Sequence, residues 1–154
     1  MVEGGFPTVL GWGTSYGMYG ERRDMGRDRL PKLSKIDAID LLLLEGKFPG
    51  MTGDGCLRTQ GVVSLRLDEV GAVLYEWKQL RPEEPARCHE PPLGLRFYRD
   101  TQILFESSLC WKCDNIYLYD PSAGKRELYG VDMGSEPAQQ LLQDLMTIRD
   151  RRDR

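Results

Sequence analysis

The stretch "ARCHEPPLGLRFYRDTQILFESSLCWKCDNIYLY", Ala86 to Tyr119, decides how this chain folds. Three of its segments are rich in apolar, β-branched and aromatic residues and read as strands: Leu93 to Tyr98, Ile103 to Trp111, and Ile116 to Tyr119. Asp100 and Thr101 then form a two-residue turn between the first two. That turn sets Tyr98 against Ile103 and Arg96 against Phe105. Continuing the register places Cys88 opposite Cys113. Pro91 and Pro92 interrupt the ladder, so Cys88 is not a regular strand residue. The chain direction nevertheless returns it toward Cys110 and Cys113.

Working outward, "RELYGV" reads as a fourth strand after the turn "DPSAGK", and "VVSLRL" as an earlier one. In "DEVGAVLYEWKQL", Val70, Val73, Leu74, Trp77 and Leu80 fall at helical spacing, with Asp68 as the N-cap. A C-terminal helix starts at Ser135, carries Pro137 in its first turn, and lines one face with Ala138, Leu141, Leu142, Leu145 and Ile148. "SKIDAIDLLLLEG" fits two templates. Ser34 with Asp37 resembles a capping box and Gly46 a C-terminal cap, while the run is also short enough for a buried strand. We read it as helix.

The fold class expected is therefore α+β, a single domain with a small, mostly antiparallel sheet and helices packed on one face. Residues 1–35 form an irregular Gly/aromatic and charged segment, 36–150 the domain, and 151–154 a frayed tail. A G-x-G-x-x-x-G pattern at Gly11, Gly13 and Gly17 lacks the helix a phosphate-cradling loop must open, so no nucleotide site is expected there.

The 154 residues suit one domain, and 40% hydrophobic with 29% charged residues is the balance of a soluble globular protein. A net charge of −3 supplies no drive toward nucleic acid, and the basic runs are interleaved with acids. No apolar run approaches the roughly 20 residues that span a bilayer. No basic stretch followed by an apolar one opens the chain, so the expected location is the cytoplasm, where thiols stay reduced.

The thiol cluster supports several chemistries. Structural zinc would use Cys88, Cys110 and Cys113, with His89, Cys56 or Asp114 as the fourth ligand. A redox C-x-x-C needs its first cysteine at a helix N-terminus, and the flanks here read as strands. A Cys–His nucleophile would need His89 oriented by Asn115 or Glu90. The plainest reading is packing, because free cysteine is a small hydrophobe and His89 beside "EPP" is a turn residue. Packing ranks ahead of zinc, and zinc ahead of catalysis. Glu83, Glu84 and Glu90 read as solvated, and Arg87, Arg96 and Arg99 as surface arginines beside glutamates. Tyr117 and Tyr119 alternate with Ile116 and Leu118, and could form a solvent-facing edge open to a partner.

"ARCHEPPLGLRFY" followed by "SLCWKCDNI" resembles a group of small bacterial proteins of unknown function. They share a Cys-His-x-Pro element, an L-R-F strand and a C-W-x-C-x-N turn. The resemblance runs from about Trp77 to Ile116. It implies a bacterial origin and a thiol cluster that is not accidental, and brings no activity with it. The function expected is a non-enzymatic cytoplasmic protein-binding module, in its most concrete form an inhibitor or immunity protein. It would bind a protein partner, neither nucleic acid nor membrane, and carry no catalytic residues or cofactor. The alternative is a small structural-zinc domain on the Cys88, Cys110 and Cys113 cluster, and the third reading a thiol-dependent redox protein or enzyme.

Overall fold

The computed structural model describes residues 29–33 and 35–152. Most of the N-terminal segment, with its glycine pattern, and Ser34 lie outside the described residues. The elements in chain order are β1 (Ala38–Leu43), β2 (Gly61–Ser64), α1 (Leu67–Lys78), β3 (Leu93–Arg99), β4 (Gln102–Cys110), β5 (Asn115–Asp120), β6 (Lys125–Gly130) and α2 (Glu136–Arg152). All six strands form one antiparallel sheet in the order β2-β1-β3-β4-β5-β6. This is the expected α+β domain.

Asp100 and Thr101 do make the β3–β4 turn, with φ of 51° and 66°, the left-handed pair that a type I′ hairpin requires. Tyr98 faces Ile103 as expected. Arg96 does not face Phe105. A bulge slips the register between Phe97 and Tyr98, so Phe97 takes Phe105 and Arg96 takes Glu106. The bulge brings a cation and an anion directly opposite each other on one face.

The helical reading of residues 34–46 is corrected to a strand. β1 is an interior strand, with Leu41 paired to Val63 on one side and Leu95 on the other. Its alternate residues point to opposite faces and both faces are covered. Ile39 and Leu41 enter the main core, while Leu42 and Leu44 enter a smaller cluster with Leu57 and Tyr119. A strand buried on both sides shows no alternation, which is why "LLLL" carried no period-2 signal.

α1 and α2 cover the face bearing Ile39, Leu41, Leu93, Leu95, Phe97, Leu109 and Ile116. Val70, Val73 and Trp77 of α1 and Ala138, Leu141, Leu145 and Ile148 of α2 are buried, close to the expected apolar faces. Trp77 meets Phe97 edge-on at 5.1 Å. Asp68 is not the N-cap. Arg66 precedes α1 and donates its N–H to Glu69 Oε1 at 2.7 Å, leaving Asp68 in the first turn. Ser135 does stand at the N-cap of α2, its carbonyl accepting the Gln139 N–H at 3.0 Å. Its hydroxyl turns back to Asp132 O at 2.7 Å.

Candidate functional site

The sheet face opposite the helices carries the polar chemistry. Period-2 alternation sends Glu106, Ser108 and Cys110 of β4 to this face together with Asn115, Tyr117 and Tyr119 of β5. Two chain segments lie over them: the β1–β2 connection, which carries Phe48 and Leu57, and the run Ala86 to Pro92.

The second segment is tied down at several points. Cys88 and Cys113, 25 residues apart, form a disulfide with their Cα atoms 5.7 Å apart. The Ala86 N–H donates to Cys113 O at 3.4 Å. Asn115 Nδ2 donates to Ala86 O at 2.9 Å and to Cys88 O at 2.8 Å. Those two carbonyls fix the amide orientation, so Asn115 Oδ1 faces His89 Nδ1 as an acceptor, at 2.7 Å. His89 therefore carries its proton on Nδ1. Its Nε2 accepts from Ser108 Oγ at 2.7 Å, and Ser108 Oγ is free to accept from Tyr119 OH at 3.2 Å. Every donor in this chain has an acceptor.

Electrostatics favour the same arrangement. Burial lowers the His89 pKa below its usual 6.5; the Asn115 bond opposes that shift, and the Arg126 charge adds to it. The imidazole is thus neutral near pH 7. Burial pushes the Tyr119 phenol up to about 12, so it remains a donor. The His89 ring packs edge-on against Tyr117 at 4.6 Å and Phe48 at 5.7 Å, and Arg126 lies over the Phe48 and Tyr117 rings at 5.1 and 5.3 Å.

The expected convergence of thiols is present. Cys88 and Cys113 are bonded, and Cys110 Sγ accepts N–H bonds from Cys113 and Glu90, both at 3.3 Å. The zinc set does not fit this form of the chain. Two of its three sulfurs are bonded to each other, and both His89 nitrogens are engaged elsewhere. The substitute ligands have other neighbours: Asp114 Oδ1 accepts from Met133 N at 3.2 Å, and the Cys56 thiol lies near Glu106 and Asp54. Among the described residues no group of three or more His, Cys, Asp and Glu is arranged to hold a metal.

The nucleophile reading gains a different partner. Asn115 does orient His89, but the hydroxyl at Nε2 belongs to Ser108, not to a cysteine. Ser108 is 0% exposed and His89 7%, so the hydroxyl is closed off from solvent in this structure. This Ser–His–Asn chain works as a latch holding Ala86 to Pro92 on the sheet. Sequence reasoning missed Ser108. The alternation of "FESSLC" was the available signal, since it places Ser108 on the face of Cys110.

A second buried network, also missed, lies beside it. Arg96 Nε donates to Glu106 Oε2 at 2.6 Å, and Glu106 Oε1 accepts the Leu57 N–H at 2.6 Å. Asp40 accepts from Tyr98 OH at 2.7 Å and Ser64 Oγ at 2.9 Å, and stands 4.0 Å from Arg96. Glu106 is fully buried and Arg96 half-buried beside it, so this arginine is not the freely solvated surface residue expected. Tyr117 and Tyr119 are likewise not a solvent-facing edge, because Phe48 and its connection cover them. Glu90 is exposed and pairs with Lys112 at 2.8 Å.

What remains accessible is elsewhere. The outer face of α1 presents Leu67, 83% exposed, and Tyr75, 64% exposed, with exposed Gly71 and Ala72 between them. No helix among the described residues is long and apolar enough to cross a membrane. Comparison with known proteins found no matching family model, no matching curated protein and no matching solved structure.

Proposed function

We propose that this chain is a non-enzymatic protein-binding module. The observation that carries the reading is the α1 stripe. Leu67, Gly71 and Tyr75 recur every four residues, so they share one face of the helix, opposite buried Val70, Val73 and Trp77. One exposed leucine means little, but an exposed leucine and tyrosine on one helix face, with only the small Gly71 and Ala72 between them, make a surface that a partner can cover. The open edge of β6 is a weaker candidate, since Lys125, Arg126 and Glu127 place charges along it. An inhibitor or immunity protein acting on a toxin is the most concrete form of this proposal, and it rests on analogy with small acidic α+β binders. A cytoplasmic location is part of the same reading. The Cys88–Cys113 bond weighs against it, because cytosolic thiols are kept reduced.

Affinity capture from the native host, read by mass spectrometry, tests the proposal with three baits. A partner held by the wild type and by Lys125→Glu, but lost by Leu67→Glu/Tyr75→Glu, supports it. Capture of no partner, or capture indifferent to the double substitution, overturns it. The zinc reading applies only to the reduced chain, where His89 must leave Asn115 and Ser108. Metal content of reduced, untagged protein decides that alternative.

A further inference from the structure

The disulfide leaves one sulfur of the three-cysteine cluster unpaired. Cys110 is fully buried, and its thiol sits against the backbone of Cys113, one end of the Cys88–Cys113 bridge. It accepts the N–H of Cys113 itself and the N–H of Glu90, two residues after Cys88, each at 3.3 Å. Two amide donors aimed at one sulfur fix Cys110 Sγ beside Cys113, the end of the bridge where an exchange would begin. The bridge it faces is asymmetric, because Cys113 is 1% exposed whereas Cys88 is solvent-exposed. Cys110 and Cys113 also flank one short turn, as a C-x-x-C pair that can close on itself.

We propose that these cysteines form a thiol–disulfide exchange site whose outward-facing group is Cys88 and whose substrate class is an external disulfide. In the first step the Cys110 thiolate attacks Cys113 Sγ. The Cys110–Cys113 bond forms, the Cys88–Cys113 bond breaks, and Cys88 leaves as a thiolate into solvent. The proton given up by Cys110 is balanced by the one Cys88 takes up, so the step is an isomerisation that needs no oxidant. In the second step the Cys88 thiolate attacks one sulfur of the external disulfide, forms a mixed disulfide with it, and releases the other sulfur as a thiolate. Solvent stabilises each outward thiolate, whereas the buried pair keeps the internal bridge.

The test uses the full chain, oxidised and folded, carrying Cys56→Ser to remove the other free thiol. It is incubated at mildly alkaline pH with N-ethylmaleimide, or with glutathione disulfide as the model substrate, and mapped by non-reducing peptide mass spectrometry. The expected result is a single label or glutathionyl group on Cys88, with the bridge moved to Cys110–Cys113. Cys110→Ala abolishes that labelling. Cys88→Ser supplies a second check, since it is expected to fold and to close the Cys110–Cys113 bridge under mild oxidation. Modification of Cys110 instead of Cys88, an unchanged bridge with no label, or a Cys88→Ser chain that stays fully reduced overturns the proposal.

Discussion

Replacing Glu76 by glutamine tests the interface that holds α1, and with it the proposed binding stripe, against α2. Glu76 is only 8% exposed, and its Oε1 has no hydrogen-bond partner among the described residues. Across the helix pair stands the carboxylate of Asp144, which already accepts from Gln140 Nε2 at 2.9 Å. Burial, then the hydrogen bond to Asp144 and its charge, push the Glu76 pKa from 4.5 up to about 8. The folded chain therefore holds a proton that the unfolded chain releases between those values. Stability from this group is complete below pH 4.5, declines as pH rises through the window, and is lost above pH 8. At about 1.4 kcal/mol per pH unit, the full window sets a ceiling of about 5 kcal/mol. Glutamine keeps the shape, cannot ionise, and can still donate to Asp144. Glu76→Gln should therefore be more stable than the wild type at pH 9 and close to it at pH 4.5, with most of the slope between removed. Urea denaturation at a series of pH values measures this. Parallel stability curves for the two proteins would refute the assignment of a shared proton to this pair.

The other two predictions concern the polar face. Glu106→Ala takes the carboxylate from the partly buried Arg96 guanidinium, which keeps Tyr98 and, at 4.0 Å, Asp40, and it orphans the Leu57 N–H. Urea unfolding should therefore show a loss of about 2–3 kcal/mol. Arg96→Met with Glu106→Leu should recover much of it, and a single substitution no worse than the double would contradict the argument. His89 has a lowered pKa, so its contribution is present above pH 6.5 and is lost as pH falls through the folded value. Hydrogen exchange in Ala86 to Pro92 should then accelerate on acidification before the rest of the sheet responds. Asn115→Ala, which removes the acceptor of His89 and the donors to Ala86 and Cys88, should produce that acceleration already at pH 7.

The contrast between the two sheet faces explains how much of the molecule was legible. The helices announced themselves, because burial on one side leaves a period of 3.6 in α1 and α2, whereas β3 to β5, covered on both faces, were read from their apolar, β-branched and aromatic content. The Asp100–Thr101 turn was readable from the two-residue gap between two strand-like runs, although a β-branched threonine at φ 66° is an unusual occupant of the second left-handed position. The turn placed Cys88 in the neighbourhood of Cys113, but the bond between them was not expected, and the Asn115 contacts to Ala86 and Cys88 that tie the segment down gave no signal in the sequence. β1 left no period of 2 because its second side is covered by the β1–β2 connection, which has no period of its own. That cover also reversed the reading of Arg96, Glu106, Tyr117 and Tyr119, all of which look like surface residues on a half-exposed sheet. Once Leu57 and Phe48 close over them, each polar atom must find a partner inside the protein, and the bulge after Phe97 supplies Glu106 to Arg96. The latch has the same origin. A histidine, a serine and an asparagine on a wet surface need nothing from one another. Beneath Phe48 and Tyr117 they must be joined in one donor–acceptor order, which commits the Ser108 hydroxyl and both His89 nitrogens to holding the Ala86 to Pro92 segment in place.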